Sequence, residues 1–149
     1  MKTIRSQLLQ MMPENTSMEL PPRIFNDMQG EFIEFIENQK LVARFPNLER
    51  YMNPFGFMQG GIIVAAIDNT IAPFSYVSAP ANITQEINTQ FKRPIKASDK
   101  YILVEAGIVE KSSTHIILKA DVLNGRGKLA ATATANCVYI ADKLRNVMN

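Results

Sequence analysis

Two adjacent glycines open an apolar run in the middle of the chain, and a single acid interrupts that run. Gly60 and Gly61 stand at its start, and Asp68 follows eight residues after the first glycine. We expect a helix from Gly60 to about Tyr76 that is apolar on nearly all sides and therefore buried. Because an unpaired buried carboxylate is costly, Asp68 needs either a partner or a chemical role.

The start of this helix has the features of an anion-binding site. The first N–H groups of a helix have no partner within it, and the helix dipole favours negative charge there. Glycine at positions 60 and 61 leaves these N–H groups accessible. They suit the oxyanion that forms when a carbonyl carbon is attacked, and Asp68 is then a candidate base or nucleophile. The alternative is structural: a close helix–sheet contact at the glycines and a hydrogen-bonded buried acid.

The spacing of the two groups indicates two subunits. Eight residues of helix span about 12 Å, whereas reacting groups must lie within about 3 Å of a common atom. One helix therefore does not bring Gly60 and Asp68 to the same substrate. If both serve one site, two antiparallel copies of the helix are needed, which predicts a two-fold dimer with two equivalent sites at its interface.

The same block of residues resembles a known family. The block consists of Asn53, then Gln59-Gly60-Gly61, then Asp68-Asn69. It is similar to the active-site block of the hotdog-fold acyl-CoA thioesterases of the phenylacetate-degradation-type (PaaI-like) branch. Members of that branch have Asn, then His-Gly-Gly, then Asp-Asn. The similarity continues through Ile83-Thr84 and Phe91-Lys92-Arg93-Pro94 and covers roughly residues 31–140. It implies an α+β hotdog fold, in which a five- or six-stranded antiparallel sheet wraps a long central helix. It also implies sheet-edge pairing in a homodimer or in a tetramer of dimers.

The resemblance implies a role for each residue of the block. The Gly60 N–H polarises the thioester carbonyl, and Asp68 of the neighbouring subunit acts as nucleophile or general base. Asn53 helps to hold the carbonyl, and Thr84 positions the water. Gln59 departs from the family histidine, and a glutamine side chain hydrogen-bonds but gains no charge near neutral pH. The implied reaction is hydrolysis of an acyl-CoA to a free acid and coenzyme A.

Aromatic and basic residues are candidate substrate contacts. Guanidinium and ammonium groups bind phosphates well, and coenzyme A carries several. Members of the family often bind the nucleotide near the two places where basic residues gather in this chain. Our candidates for substrate binding are Gly61, Phe57, Met58, Lys92, Arg93 and Arg126. The alternative for the basic residues is solvated surface charge, and the acyl group stays open among aryl, short-chain and medium-chain types.

Two other functions stay open. Gln59 in place of the family histidine is compatible with a protein that binds acyl-CoA as a sensor or carrier without hydrolysing it. An enoyl-CoA hydratase or dehydratase needs an acid–base histidine, and the only one, His115, falls in a predicted strand. One histidine and the distant Cys137 make a poor metal ligand set, so we expect no metal and no cofactor other than the coenzyme A of the substrate.

Composition sets the broad class. A chain of 149 residues is of single-domain size, and a net charge of +2 does not call for nucleic acid. We expect no membrane-spanning segment and no signal-peptide core at the N-terminus. Cys137 is the single cysteine, so an internal disulfide is impossible. These features predict a cytoplasmic protein.

Residues 1–30 are predicted to form an N-terminal helical cap on the sheet edge. Thr3 to Met12 has the spacing of an amphipathic helix with Ile4, Leu8, Leu9 and Met12 on one side, ended by Pro13. A second helical turn, from Arg23 to Met28, is closed by Gly30.

The core, residues 31–140, begins with a hairpin from Glu31 to Phe45 that turns at Glu37-Asn38-Gln39-Lys40. Four strands follow the long helix. The first, Ile83 to Phe91, is predicted to place Ile87 and Phe91 on one face and Thr84, Glu86, Asn88 and Gln90 on the other. Pro73 is predicted to kink or end the helix one turn after the acid, because proline lacks the N–H that would bond the carbonyl of Asn69.

The remaining strands are predicted at Tyr101 to Val109, Thr114 to Leu123 and Leu129 to Ile140, and the turn from Asn124 to Gly127 joins the last two. The even positions of the Thr114 strand are apolar. The odd positions of the last strand are small, namely Ala131, Ala133, Ala135 and Cys137. Small side chains let a helix lie close to a sheet, so we expect this face to receive the Gly60 helix.

Overall fold

The computed structural model describes residues 3–11 and 19–140. Two short helices come first, α1 (Ile4–Met11) and α2 (Arg23–Asp27). The core consists of β1 (Glu31–Ile36), β2 (Lys40–Pro46), the long helix α3 (Gly60–Ser78), β3 (Asn82–Phe91), β4 (Tyr101–Lys111), β5 (His115–Leu123) and β6 (Leu129–Tyr139). A single 3-10 turn, Glu49–Tyr51, lies between β2 and α3.

The six strands form one sheet in the order β1-β2-β4-β5-β6-β3, and every neighbouring pair is antiparallel. Helix α3 packs on one face of this sheet and contacts β2, β3, β4, β5 and β6. The edges are therefore β1 and β3. This confirms the predicted α+β hotdog fold, with six strands around a long central helix and a short helical segment before them.

The face that receives α3 is built from the alternation seen in the sequence. The even positions of β5, namely Ile116, Leu118, Ala120 and Val122, are all buried. The odd positions of β6, from Ala131 to Cys137, are also buried, and cross-strand pairing places them on the same face as the even positions of β5. The prediction that this face lies against the helix is confirmed.

Helix α3 departs from our expectation that no segment would have the length and composition of a membrane span. By length and composition alone, its 19 residues are sufficient to cross a membrane. In the structure the side chains of Ile67, Ile71 and Phe74 are completely buried. The helix is thus the core helix of the fold, and its hydrophobicity is explained by burial inside the protein.

Pro73 does not end α3, which continues to Ser78. The expectation that the helix stops there is wrong. Proline removes one N–H donor, but Phe74 and Ile71 on either side of it are fully buried. Packing against the sheet holds the last turn in place despite the missing hydrogen bond.

A bulge in β3 changes the predicted faces of that strand. Thr84 pairs with Cys137 and Glu86 pairs with Asn136, so two steps along β3 match one step along β6. Because cross-strand partners share a face, Thr84 lies on the inner face with Cys137, and Glu86 lies on the outer face. The prediction that Thr84 shares a face with Glu86, Asn88 and Gln90 is wrong for this reason.

The N-terminal cap packs mainly against α3, beside the edge strand β1. Ile4 and Leu8 are buried as predicted, but Leu9 is 62% exposed. Ile4 and Leu8 are four residues apart and share a face, whereas Leu9 lies about 100° further round the helix. Met12 and Pro13 lie outside the described residues.

A buried acid fastens the loops at one end of the sheet. Asp99 is 2% exposed, and its Oδ1 lies 3.2 Å from Nε of Arg126. Its Oδ2 accepts the N–H of Lys96 at 3.0 Å. Asn47 donates to the carbonyls of Lys96 and Asp99 at 2.9 and 2.8 Å. These bonds join the end of β2, the loop before β4 and the β5–β6 turn.

Replacing Asp99 by Asn will lower the free energy of unfolding by about 1–3 kcal/mol, because a charged partner is removed from Arg126 and from the Lys96 N–H. Urea unfolding of wild-type and variant protein measures the change. Glu31→Gln is the matched control, since Glu31 pairs with Arg44 at an exposed position and its loss should cost less. Equal effects of the two substitutions would contradict a structural role for Asp99.

Candidate active site

Two backbone donors are open at the start of α3. Gln59 is the N-cap residue, with φ −63° and ψ 137°, and its exposed side chain forms no capping hydrogen bond. The Gln59 carbonyl accepts the N–H groups of Ile62 and Ile63. Within the described part of the chain, the N–H groups of Gly60 and Gly61 donate to no acceptor. Both point out of the helix end, where an anionic oxygen is favoured.

An open groove of about 360 Å³ leads to Gly60, whereas Gly61 is not among its lining residues, and we call it the amide groove. It brings together Asn53, Phe57, Met58, Gly60, Lys92 and Arg93 with Ile63, Phe91, Pro94 and Ile95. Six predicted site residues are therefore neighbours. The side chains of Lys92 and Arg93 are exposed beside the helix N-terminus, so positive charge adds to the field of the helix dipole.

Asn53 shapes one wall of the amide groove. Its side-chain Oδ1 accepts the N–H groups of Phe55 and Phe57 at 2.9 and 3.1 Å, and its own N–H donates to the Phe57 carbonyl at 2.7 Å. Gly56 in this turn has φ 81°, a conformation that favours glycine. The Oδ1 of Asn53 thus holds the loop, whereas its amide NH₂ group donates to no acceptor in the part of the chain that the structure describes.

Phe91 is a groove residue to which sequence reasoning gave no role in the site. A Cβ atom on Gly60 would lie 3.1 Å from the ring of Phe91, whereas a Cβ on Gly61 would meet nothing within 4 Å. The ring of Phe91 therefore lies directly against the start of α3. The motif Phe91-Lys92-Arg93-Pro94 was the signal in the sequence, but the contact between the ring and Gly60 depends on how β3 returns along the helix.

Asp68 lies half-buried two turns further along α3. Its Oδ1 accepts the hydroxyl of Thr84 at 3.0 Å, and the thiol of Cys137 lies 4.0 Å from the Thr84 oxygen. We call Asp68, Thr84, Cys137 and the neighbouring Tyr76 the carboxylate cluster. The acid in the apolar helix thus has the partner that its position requires.

Two pKa shifts describe the surroundings of Asp68. Burial raises the pKa of Tyr76 above its ordinary value of 10.0, and the negative charges of Asp68 and Cys137 raise it further. Burial also raises the pKa of the Cys137 thiol above 9.0, and the hydrogen-bond contact of this thiol with the Thr84 hydroxyl partly opposes the shift. Both groups are therefore neutral at physiological pH, and Cys137 has the character of a packing residue.

The amide groove and the carboxylate cluster lie at opposite ends of the same pair of elements. Strand β3 runs back along α3, so Thr84 near its start meets Asp68 and Phe91 at its end meets Gly60. Along the helix the two groups are separated by about 12 Å. Within one chain, the amide groove and the carboxylate cluster therefore do not meet.

Arg126 and His115 lie elsewhere. Arg126 pairs with Asp99 outside the amide groove. His115 pairs with Val138 in the register of β5 and β6, whereas Thr84 pairs with Cys137, the adjacent residue. Adjacent residues of a strand point to opposite faces, so His115 lies on the outer face of the sheet and Asp68 lies against the inner one.

No family model matches the chain. A curated protein of Saccharolobus solfataricus named "Putative esterase" is 28% identical over 112 residues, which are 74% of this chain and 79% of that protein. That identity indicates a relationship with an esterase without defining the family of this chain.

Solved structures match closely in fold. The E. coli PaaI protein from the phenylacetic acid degradation operon has a TM-score of 0.75 at 16% identity, over 80% of this chain and 86% of that chain. A Streptococcus mutans protein bound to acetyl CoA has a TM-score of 0.70 at 19% identity, over 74% and 88%. Thioesterase superfamily member 2 from Mus musculus has a TM-score of 0.69 at 20% identity, over 78% and 84%. The resemblance to PaaI-like hotdog thioesterases is thus confirmed at the level of the fold.

The shifts of Tyr76 and Cys137 predict a loss of stability at alkaline pH. The unfolded chain releases these protons first as the pH rises above 9, so the free energy of unfolding falls until the pH passes the folded-state pKa values. Tyr76→Phe keeps the ring and removes the hydroxyl proton, so it should reduce the decline between pH 8 and 11. Urea unfolding across this range measures it. An identical decline in the variant would contradict the assignment.

Proposed function

We propose that this protein is an acyl-CoA thioesterase that hydrolyses a thioester to a free acid and coenzyme A. The observation that carries the proposal is the arrangement on α3. Two N–H groups without a described acceptor stand at Gly60 and Gly61, and a carboxylate held by Thr84 stands two turns later. A donor pair and a carboxylate are the two components that attack on a thioester carbonyl requires.

The two halves meet if two chains pair through β3. This strand is a sheet edge, and it exposes Ile83 (50%) and Phe91 (55%) along it. Antiparallel pairing of two β3 strands about a two-fold axis near their middle sets the Phe91 end of one chain beside the Thr84 end of the other. The Gly60 donor of one subunit then approaches Asp68 of its mate, and symmetry produces two such sites. Whether two dimers associate further into a tetramer does not alter this geometry.

In this site the thioester oxygen faces the Gly60 N–H, which stabilises the negative charge that develops there. Asp68 either takes a proton from the attacking water or attacks the carbonyl carbon itself and forms an anhydride that water then cleaves. In both routes the C–S bond breaks, the thiolate of coenzyme A leaves and takes up a proton, and the acid is released. The hydroxyl of Thr84 fixes the orientation of the carboxylate through its hydrogen bond.

The amide groove supplies contacts for the rest of the substrate. Lys92 and Arg93 flank it with two positive charges that suit the phosphates of coenzyme A. Phe57 and Met58 form an apolar part of the groove wall next to the donors, which suits the pantetheine arm of coenzyme A. Arg126 at the far turn keeps a place in the proposal as a second phosphate contact, although its Nε is paired with Asp99. That the similarly folded Streptococcus mutans protein binds acetyl CoA supports this class of ligand.

Acyl-CoA binding without hydrolysis is the second candidate. The observation that favours it is Gln59, which occupies the position of the family histidine and projects an uncharged, exposed side chain at the helix start. A hydratase or dehydratase is disfavoured, because His115 lies on the outer face of the sheet. For either candidate we place the protein in the cytoplasm, where acyl-CoA and a reduced Cys137 are both expected.

Replacing Asp68 by Asn will lower turnover of a good acyl-CoA substrate about 10²-fold or more, since the amide keeps the hydrogen bond from Thr84 but neither attacks nor accepts a proton. A coloured thiol assay over a panel of acyl-CoA thioesters measures the rate. Asp121→Asn is the matched control, an acid on the exposed outer face of β5. Unchanged turnover in the Asp68 variant rules out the mechanism, and saturable binding of acyl-CoA without thiol release from the wild type establishes the carrier.

Mixing two inactive variants tests the shared site. Asp68→Asn removes one half and Gly60→Val covers the other, so each homodimer is inactive. In a heterodimer one of the two sites combines both intact halves, and random mixing should restore about one quarter of wild-type activity. Coexpression with two different tags permits the measurement. Asp68→Asn mixed with Asp68→Ala is the control without recovery, and absence of recovery in the first mixture would show that each site belongs to a single chain.

A further inference from the structure

A cavity of about 550 Å³ lies beyond the carboxylate cluster, between the N-terminal cap and the start of β3, and we call it the cap cavity. Most of its described lining is apolar, including Leu20, Pro22, Tyr76, Ala81, Ile83 and Ile140. Its volume is within the range of about 300–1,000 Å³ that is usual for small-molecule sites. None of the roles proposed so far uses it.

The cap cavity is continuous with the carboxylate cluster along two elements. On β3, Asn82 lines the cavity and Thr84 bonds Asp68. These two residues are two positions apart and share the inner face, so the cavity begins about 7 Å beyond the hydroxyl partner of the carboxylate. On α3, Tyr76 lines the cavity two turns after Asp68, and a helical side chain leans toward the helix N-terminus, here toward the acid.

The side-chain amide of Asn82 and the charges of Glu19 and Arg23 around the cap cavity are already paired. The amide of Asn82 donates to the carbonyls of Pro80 and Ser75 at 2.8 and 3.3 Å, and its Oδ1 accepts the hydroxyl of Ser75 at 2.8 Å. At the rim, Glu19 and Arg23 pair with each other at 3.1 Å. A ligand in this cavity therefore meets hydrocarbon wall and compensated charge, which favours an uncharged aliphatic group over one that ends in a carboxylate.

We propose that the cap cavity holds the far end of a straight aliphatic acyl chain, so that the substrate class is medium- to long-chain acyl-CoA. The proposal rests on the proposed function, which places the thioester carbonyl at Asp68. An extended chain advances by about 1.2 Å per bond. The distance of about 7 Å from the carboxylate cluster to the cap cavity therefore corresponds to roughly six bonds of an acyl chain. Chains of up to about six carbons end before the cavity, and the additional methylenes of longer chains are buried in it.

Binding of acyl-CoAs to the Asp68→Asn protein tests this without turnover. Calorimetry with acetyl-, butyryl-, hexanoyl-, octanoyl- and decanoyl-CoA should show similar affinity up to hexanoyl and then a gain of about fourfold for each further buried methylene. Ala81→Phe introduces a ring at the cavity wall, and it should make octanoyl- and acetyl-CoA bind with equal affinity. Ser113→Phe, a ring added at an exposed turn between β4 and β5, is the matched control that keeps the gain.

Leu20→Ala is the second variant, used if circular dichroism shows that Ala81→Phe does not fold. Removing part of the wall should weaken decanoyl-CoA several-fold more than acetyl-CoA. Three results would overturn the inference: affinity independent of chain length, a chain-length gain that survives the cavity variants, or phenylacetyl-CoA or a carboxylate-ended acyl-CoA binding as tightly as decanoyl-CoA. If binding depends on chain length but the wild-type protein releases no thiol, the proposed acyl-chain site is supported and the proposed thioesterase activity is contradicted. The two proposals can therefore fail separately.

Discussion

The burial of α3 is the constraint on which the rest of the structure depends. A helix with Ile67, Ile71 and Phe74 at zero exposure must be covered along most of its length, and a single curved sheet of six antiparallel strands does this. The small residues of β6 and the apolar positions of β5 provide the surface on which it lies. The helix N-terminus at Gly60 and the side chain of Asp68, which faces the edge strand β3, remain only partly buried, and both parts of the candidate site are there.

The Gly60 N–H group and the Asp68 carboxylate are separated by about two turns of α3, and β3 runs antiparallel to the helix beside both of them. Gly60 touches Phe91 at one end of β3, and Asp68 bonds Thr84 at the other. In the proposed dimer, a two-fold axis across β3 brings the unlike groups at the two ends of this edge strand together. The same geometry leads from the carboxylate toward the cap cavity, so the proposed catalytic site and the proposed acyl-chain site share one continuous surface.

Patterns confined to one element could be predicted from the sequence. The alternation of β5 and the small residues of β6 identified the inner face, and the glycine pair identified the start of α3. Features that depend on two elements could not be predicted. The bulge that puts Thr84 on the inner face arises from the pairing of β3 with β6. The sequence from Ile83 to Phe91 alone does not predict it. Pro73 was given the effect it has in an isolated helix, whereas packing against the sheet carries the helix on to Ser78.

The roles of the site residues came from the resemblance and from the spacing of Gly60 and Asp68. The structure adds the hydrogen bond of Thr84, the ring of Phe91 over Gly60 and the pairing of Arg126 with Asp99, which are tertiary contacts. The exposure of Leu9 also could not be predicted. The spacing of apolar residues in α1 does not indicate which side of its apolar face the rest of the protein covers.

The most direct test is a crystal structure with a coenzyme A derivative in which a ketone replaces the thioester. The account predicts that the ketone oxygen lies about 3 Å from the Gly60 nitrogen of one subunit, with its carbon within about 3.5 Å of the partner subunit's Asp68. A complex in which the ketone lies away from the Gly60 nitrogen, or in which two β3 strands do not pair and no mate approaches Asp68, would contradict it.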